Sequence, residues 1–137
     1  MLLRRRFEVP AELAGTDLAA VVPEAELAVI ARRGTTVTVG MGKNVMGEDT
    51  FGREFLIVLN GRLSVTRDGE DLAVLTAGDI AGEIALLGKA RRTASVSAQV
   101  DTKVLAFNRR EFSSVLDECP AFANFVIATA ESRDQAA

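Results

Sequence analysis

The spacing of apolar residues changes twice along the chain, and the first part, residues 1–34, has helical spacing. Pro23 and Gly34 bound one predicted helix, because proline is favoured at the start of a helix and glycine just past its end. Asp17 is expected to cap a shorter helix over residues 18–22. This pattern predicts an N-terminal helical segment over residues 1–34.

The second part, residues 35–107, has the alternating and continuous apolar patterns of β-strands. Asn60-Gly61 and Asp68-Gly69 are hairpin signals, because the turn that they favour needs positive φ at both residues. Seven or eight short strands with closely spaced turns are typical of a sandwich or jelly roll. The clearest predicted strands are residues 35–39, 55–59, 63–67, 71–75, 93–100 and 103–107.

The third part, residues 108–133, returns to helical spacing and is expected to form two helices. Asn108 can cap the first of them, and Pro120 opens the second. Phe122 and Phe125 lie on one face of the second helix, where they either pack onto the strands or cover a ligand. The sequence therefore predicts one mainly β domain over residues 1–137, a jelly-roll-like β-barrel (a β-roll) with helices at both ends.

Composition narrows the possible functions. The chain has 137 residues, 48% of them hydrophobic, with a net charge of -3 and a pI of about 5.0, which argues against direct nucleic acid binding. It contains no histidine, which excludes a histidine-based triad or metal site, and we expect no metal and no catalytic activity. No apolar run reaches the length of about 18 residues needed to span a membrane. The single cysteine, Cys119, permits no internal disulfide, so we expect a cytoplasmic protein.

The alternating pattern fails once within the strands, from Gly82 to Gly88, where a short helix is expected. Its first backbone amides would attract an anion, and Gly82 would let a ligand approach the backbone closely. Arg92 could bond twice to a phosphate, while the carboxylate of Glu83 suits a sugar hydroxyl. In the alternative interpretation, Gly82 is a turn residue and Glu83 forms a surface ion pair with Arg92 or Arg91.

This stretch resembles the phosphate-binding cassette of the cyclic nucleotide-binding domain family. The segment Gly82-Glu83-Ile84-Ala85-Leu86-Leu87, followed by Arg92-Thr93-Ala94, is similar to the family pattern in composition and spacing. Upstream, Gly61 with Leu63 and Val65, and then Gly78-Asp79, resemble two further family motifs. Ala81 departs from the pattern, which usually has phenylalanine before Gly-Glu. The resemblance covers residues 34–107, places the cassette at residues 78–96, and makes residues 108–133 the hinge helices.

The resemblance implies a role for each matched position. Glu83 would bind the ribose 2′-hydroxyl and Arg92 the cyclic phosphate, with Gly82 allowing close approach. The remaining ligand-binding positions complete the phosphate cradle (Ile84, Ala85, Thr93 and Ala94) or form a wall for the purine (Leu75, Leu86 and Val96). Thr93 can serve the phosphate or reach the amino group of guanine, so cAMP is the expected ligand and cGMP is possible.

The expected function is therefore that of a regulatory sensor that binds a cyclic nucleotide and signals through its C-terminal helices. The effector domain or partner protein is unknown, and the last helix leaves a homodimer open. The alternative is a protein-interaction β-roll with a vestigial cassette, which Ala81 favours and the intact Glu83 and Arg92 oppose. Only thirty residues follow Phe107, which is too few for an additional helix-turn-helix domain.

Overall fold

The computed structural model describes residues 9–46, 54–83 and 94–136. A 3₁₀ turn (Ala11–Leu13) precedes helices α1 (Asp17–Val21) and α2 (Glu24–Arg33). The strands are β1 (Thr35–Val39), β2 (Asn44–Met46), β3 (Glu54–Asn60), β4 (Leu63–Arg67), β5 (Glu70–Leu75), β6 (Ile80–Ala81), β7 (Ser95–Ala98) and β8 (Thr102–Asn108). Helices α3 (Arg109–Glu118) and α4 (Pro120–Ala136) follow β8. The predicted mainly β architecture with helices on both flanks is confirmed.

The boundaries of α2 agree with the sequence, but the cap of α1 was predicted one residue too late. The hydroxyl of Thr16 accepts a hydrogen bond from the amide of Ala19 at 3.2 Å, and Thr16 has extended backbone. Asp17 is the first residue of the helix instead. Its carboxylate there interacts favourably with the positive end of the helix dipole.

The strands form two antiparallel four-stranded sheets, in the orders β1-β8-β3-β6 and β2-β7-β4-β5. The predicted hairpin at Asp68-Gly69 is confirmed, since both residues have positive φ (52° and 81°) and join the paired strands β4 and β5. The hairpin predicted at Asn60-Gly61 is wrong, because β3 and β4 belong to different sheets.

Gly61 is the corner at which the chain crosses from one sheet to the other. Its φ is 113°, and a Cβ atom at this position would lie 2.5 Å from the hydroxyl oxygen of Thr102. That buried hydroxyl accepts a hydrogen bond from the amide of Arg62 at 3.1 Å and lies 2.8 Å from the carbonyl of Val100, to which it donates. Only glycine fits this close approach, which explains the motif that the sequence showed here.

Strand β3 is buried on both faces, which explains its continuous apolar run. Phe55, Ile57 and Leu59 contribute to one core beneath the helices, while Leu56 and Val58 contribute to a second core among the strands. These opposite contacts follow from the alternation of side chains along a strand. The second core also contains Val39, Leu63, Leu75, Ala81, Val96, Ala98 and Val104.

The core beneath the helices contains the two phenylalanines of interest in α4. Phe122 is fully buried, and its ring centroid lies 6.0 Å from that of Phe55. Phe125 is partly buried against the same core. Both residues therefore pack the last helix onto the strands, so the ligand-covering interpretation of Phe122 is wrong.

Candidate functional site

A turn at Gly78-Asp79 leads the chain into the candidate site. The carboxylate of Asp79 accepts a hydrogen bond from the amide of Thr76 at 2.8 Å. Backbone hydrogen bonds join Val58 to both turn residues, at 2.8 Å to Gly78 and 2.9 Å to Asp79. These bonds hold the following strand, β6, antiparallel to β3, with Ala81 opposite Leu56. The turn therefore fixes where Gly82 and Glu83 emerge from the sheet.

Gly82 and Glu83 follow β6 directly. Gly82 has a φ of 97°, in the left-handed region that glycine adopts without strain. Glu83 has helical backbone, and only 1% of its surface is exposed. The preceding Ala81 is buried in the second core, so the position that departs from the family motif is filled by a small core side chain.

The buried carboxylate of Glu83 is ion-paired with an arginine from the last helix. Oε1 of Glu83 lies 2.7 Å from Nη1 of Arg133, whose side chain is 34% exposed. Glu83 therefore does form an ion pair, but the prediction that this pair lies at the surface is wrong, because the carboxylate is buried. A charge this deeply buried needs a partner, since an unpaired one costs several kcal/mol.

Arg133 was not predicted as a site residue. It is fifty residues away from Glu83 in the sequence and lies in a polar segment without motif character. Its only sequence signal is indirect. A buried carboxylate after Gly82 requires a cation, and helix α4 packs on the same domain.

Two of the three residues predicted to line a purine, Leu75 and Val96, lie in the second sheet. Leu75 and Val96 are both 5% exposed and belong to the second core. Leu63 on β4 pairs with Leu75 on β5, and Val65 on β4 pairs with Val96 on β7. Strand β4 therefore lies between the strands that carry Leu75 and Val96. Since Ala81 contributes to the same core, these walls and the start of the cassette share one apolar interior.

Half of the predicted site positions can be located. Ala94 lies immediately before β7 and is partly buried, while Gly82, Glu83, Leu75 and Val96 are placed as above. The other five predicted positions fall outside the described residues: Ile84, Ala85, Leu86, Arg92 and Thr93. The buried carboxylate, the left-handed glycine and the apolar side chains of Leu75 and Val96 fit a ligand with a sugar hydroxyl and a planar aromatic base.

Other reactive groups are poor candidates for chemistry. Burial raises the pKa of the Cys119 thiol to about 11, and the nearby carboxylates of Glu26 and Glu118 add to the shift. The thiol is therefore protonated at neutral pH and is a weak nucleophile. Across residues 9–46, 54–83 and 94–136, no three acidic or cysteine residues are grouped closely enough to hold a metal ion.

No helix in the described part of the chain is both long enough and apolar enough to cross a membrane.

Comparison with known proteins agrees with this geometry. The chain is 38% identical over 79 residues to the human potassium/sodium hyperpolarization-activated cyclic nucleotide-gated channel 3, covering 58% of this chain and 10% of the channel. It is 35% identical over 74 residues to the cGMP-dependent protein kinase egl-4 of Caenorhabditis briggsae, covering 54% of this chain and 10% of the kinase. The chain thus spans about a tenth of the length of these curated relatives.

A solved structure described as "Sp-2Cl-cAMPS bound to PKAR CBD2" has the same fold. It superposes with a TM-score of 0.83 at 21% identity, covering 97% of this chain and 89% of that chain. A family model, described as the cyclic nucleotide-binding domain, matches residues 36–119, which is more than half of the chain. With the β-roll, the buried Glu83 and the left-handed Gly82 in place, this match shows that the chain belongs to the cyclic nucleotide-binding domain family.

Proposed function

We propose that this chain is a sensor that binds cAMP, with cGMP as the alternative ligand, and that it signals through α3 and α4. The proposal is carried by the buried Glu83, which follows Gly82 at the family position and is joined to α4 by Arg133. A carboxylate in this position can accept hydrogen bonds from a ribose and from a helix at the same time, because its two oxygens offer about four acceptor sites.

In the proposed complex, Glu83 accepts the ribose 2′-hydroxyl and Arg92 binds the cyclic phosphate. The amides of Ile84 and Ala85, together with Thr93 and Ala94, complete the phosphate cradle. The purine rests against Leu75, Leu86 and Val96, of which Leu75 and Val96 already lie in one apolar core. Recognition of a nucleotide arises because sugar hydroxyl, phosphate and base must all be accommodated at once.

Signalling would begin at the ion pair between Glu83 and Arg133. A ligand hydroxyl that donates to Glu83 would share the carboxylate with Arg133. Binding would therefore alter the ion pair that connects α4 to the site. A ligand shifts such an equilibrium only through different affinities for the two states. The proposal therefore requires that the nucleotide bind differently when the ion pair is intact and when it is broken.

The decisive experiment is calorimetric titration of cAMP and cGMP into the wild type and into Arg92→Ala. The protein is first unfolded and refolded, so that any nucleotide carried through purification is removed. Arg62→Ala is the matched control, because Arg62 is exposed. We expect binding by the wild type and by the control, tighter for cAMP, and loss of about tenfold or more in Arg92→Ala, as removal of a charge-assisted hydrogen bond predicts.

The absence of binding heat and of any thermal stabilisation by either nucleotide, with folded wild-type protein, would overturn the proposal. The interaction module with a vestigial cassette would then be the better interpretation. Binding that survives in Arg92→Ala at full strength would reject the assignment of Arg92 while leaving the sensor function in place.

A further inference from the structure

Arg67, the last residue of strand β4, has a buried nitrogen without a partner. Its side chain is only partly exposed, and within the described part of the chain its Nε is a buried polar atom with no hydrogen bond. No ion pair joins it to Glu70, its cross-strand neighbour on β5, which is exposed. No motif in the sequence singles this residue out, and the roles proposed above do not use it.

The alternation along β4 directs Arg67 toward the interior of the roll. Leu63 is part of the second core and Val65 packs against it. Arg67 is the next residue of this series, and side chains two residues apart lie on the same face of a strand. The buried Nε agrees with this orientation.

The pairing of β4 with β7 places Arg67 beside the end of the cassette. Their register is uninterrupted and runs from Leu63 opposite Ala98 to Thr66 opposite Ser95. Continued by one residue, it brings Arg67 next to Ala94. Neighbours across a strand pair have Cβ atoms about 5 Å apart, so the longer guanidinium reaches well past Ala94.

The Nε of Arg67 is an unsatisfied hydrogen-bond donor. Arginine stays charged at all ordinary pH values and offers five donors in a planar fork that matches a phosphate. A buried donor without an acceptor is unfavourable. A ligand anion entering the roll beside Ala94 would supply the missing hydrogen-bond acceptor.

We propose that Arg67 is a second anion-binding arginine, which donates from β4 to the phosphate of the bound nucleotide. This inference rests on the proposed function and extends it, because it adds a binding residue from β4, the strand paired with β7. It gives the phosphate two cationic partners, Arg92 and Arg67.

The test compares Arg67→Met with Arg62→Met by calorimetric titration of cAMP and cGMP, and by thermal unfolding without nucleotide. Methionine keeps the apolar stem and removes the charge, and Arg62 is an exposed arginine just before the same strand. We expect Arg67→Met to bind both nucleotides about tenfold or more weakly, whereas Arg62→Met binds like the wild type. The unliganded Arg67→Met protein should melt no lower than the wild type, since a buried donor without an acceptor has been removed.

Three results would reject the assignment while leaving the sensor function intact. The first is unchanged affinity in Arg67→Met. The second is a loss of affinity for only one nucleotide, which would indicate a contact with the base. The third is a lowered melting temperature without ligand, which would indicate a structural role. If the folded wild type binds neither nucleotide, the proposed function fails, and the role of Arg67 fails with it.

Discussion

At the scale of single residues, Glu83 and Arg133 are unequal partners. The carboxylate is 1% exposed and the guanidinium 34%. If the pair is broken, Arg133 can recover hydration, but Glu83 remains in the interior without its cation. The cost of breaking the pair should therefore depend on which partner is removed.

We predict that Arg133→Met destabilises the unliganded protein more than Glu83→Gln. Leaving a buried charge without its hydrogen bond costs about 1–3 kcal/mol, or more. Glutamine instead keeps an acceptor for Arg133 and carries no charge to compensate. Urea-induced unfolding at neutral pH measures both differences.

The control is Glu131→Gln, which removes an exposed carboxylate from the same helix and should have little effect. The double variant should be less destabilised than the sum of the single variants, since both changes act on one interaction. Equal losses in the two single variants would contradict the asymmetry.

The two residues also differ in how far sequence could identify them. Glu83 was predicted because a local motif, Gly82-Glu83, has a defined chemical purpose. Arg133 was missed because its partner is fifty residues away and side-chain pairing over that distance depends on the packed fold. Arg67 was missed for a related reason, since only the register of β4 shows where it points.

At the scale of elements, the start of α4 is held by a side chain of α2. The two carboxylate oxygens of Glu26 accept hydrogen bonds from the amides of Ala121 and Phe122, at 3.2 and 2.9 Å. Pro120 has no amide hydrogen, so it leaves no unpaired donor in the first position of the helix. A carboxylate there also interacts favourably with the helix dipole.

We predict that Glu26→Ala loosens the start of α4 and destabilises the protein by about 1 kcal/mol, the usual effect of removing a helix cap. The amides of Ala121 and Phe122 should exchange hydrogen faster, because they lose their acceptors. Hydrogen exchange resolved to single amides measures this directly.

Glu24→Ala is the matched control, because Glu24 is exposed in the first turn of the same helix. It should leave exchange at Ala121 and Phe122 unchanged. The prediction would be wrong if both variants altered those two amides equally.

Elements with a strong local signal were predictable from sequence, and short ones were not. Asn108 caps α3 as expected, and Glu111 completes a reciprocal capping box with it. Strands β2 and β6 were missed because they have three and two residues, too few to show alternation. The hairpin predicted at Asn60-Gly61 is wrong because this motif forms a corner between the two sheets. The pairing of distant strands decides between a hairpin and a corner, and the local sequence does not show that pairing.

At the scale of the whole molecule, polar contacts connect the N-terminal helices, the C-terminal helices and the roll. Arg33 on α2 pairs with Glu118 on α3 at 2.6 Å, Glu26 caps α4, and Arg133 pairs with Glu83. Under the proposed function, a nucleotide at the cassette would therefore affect residues well beyond its own contacts.

We predict that saturating cAMP changes hydrogen-exchange protection across residues 108–133. Arg133→Met should still bind the nucleotide but show a smaller change in those residues, because the link from Glu83 to α4 is absent. Exchange with and without ligand, followed by mass spectrometry, measures both effects.

Strand β3 is the internal reference, since it is buried on both faces and should change little. Unchanged exchange over residues 108–133 at saturation would contradict signalling through these helices. An equal change in the wild type and Arg133→Met would show that another contact carries the signal.

The attachment of α4 at two points has a mechanical consequence. About 18 Å of helix separates the amide held by Glu26 from Arg133, at about 1.5 Å per residue. With the first contact acting as a pivot, a shift of about 3 Å at the Glu83 end would swing this stiff rod through about 10°. The domain would thus convert a displacement the size of one hydrogen bond into an angle that a neighbouring protein surface can detect.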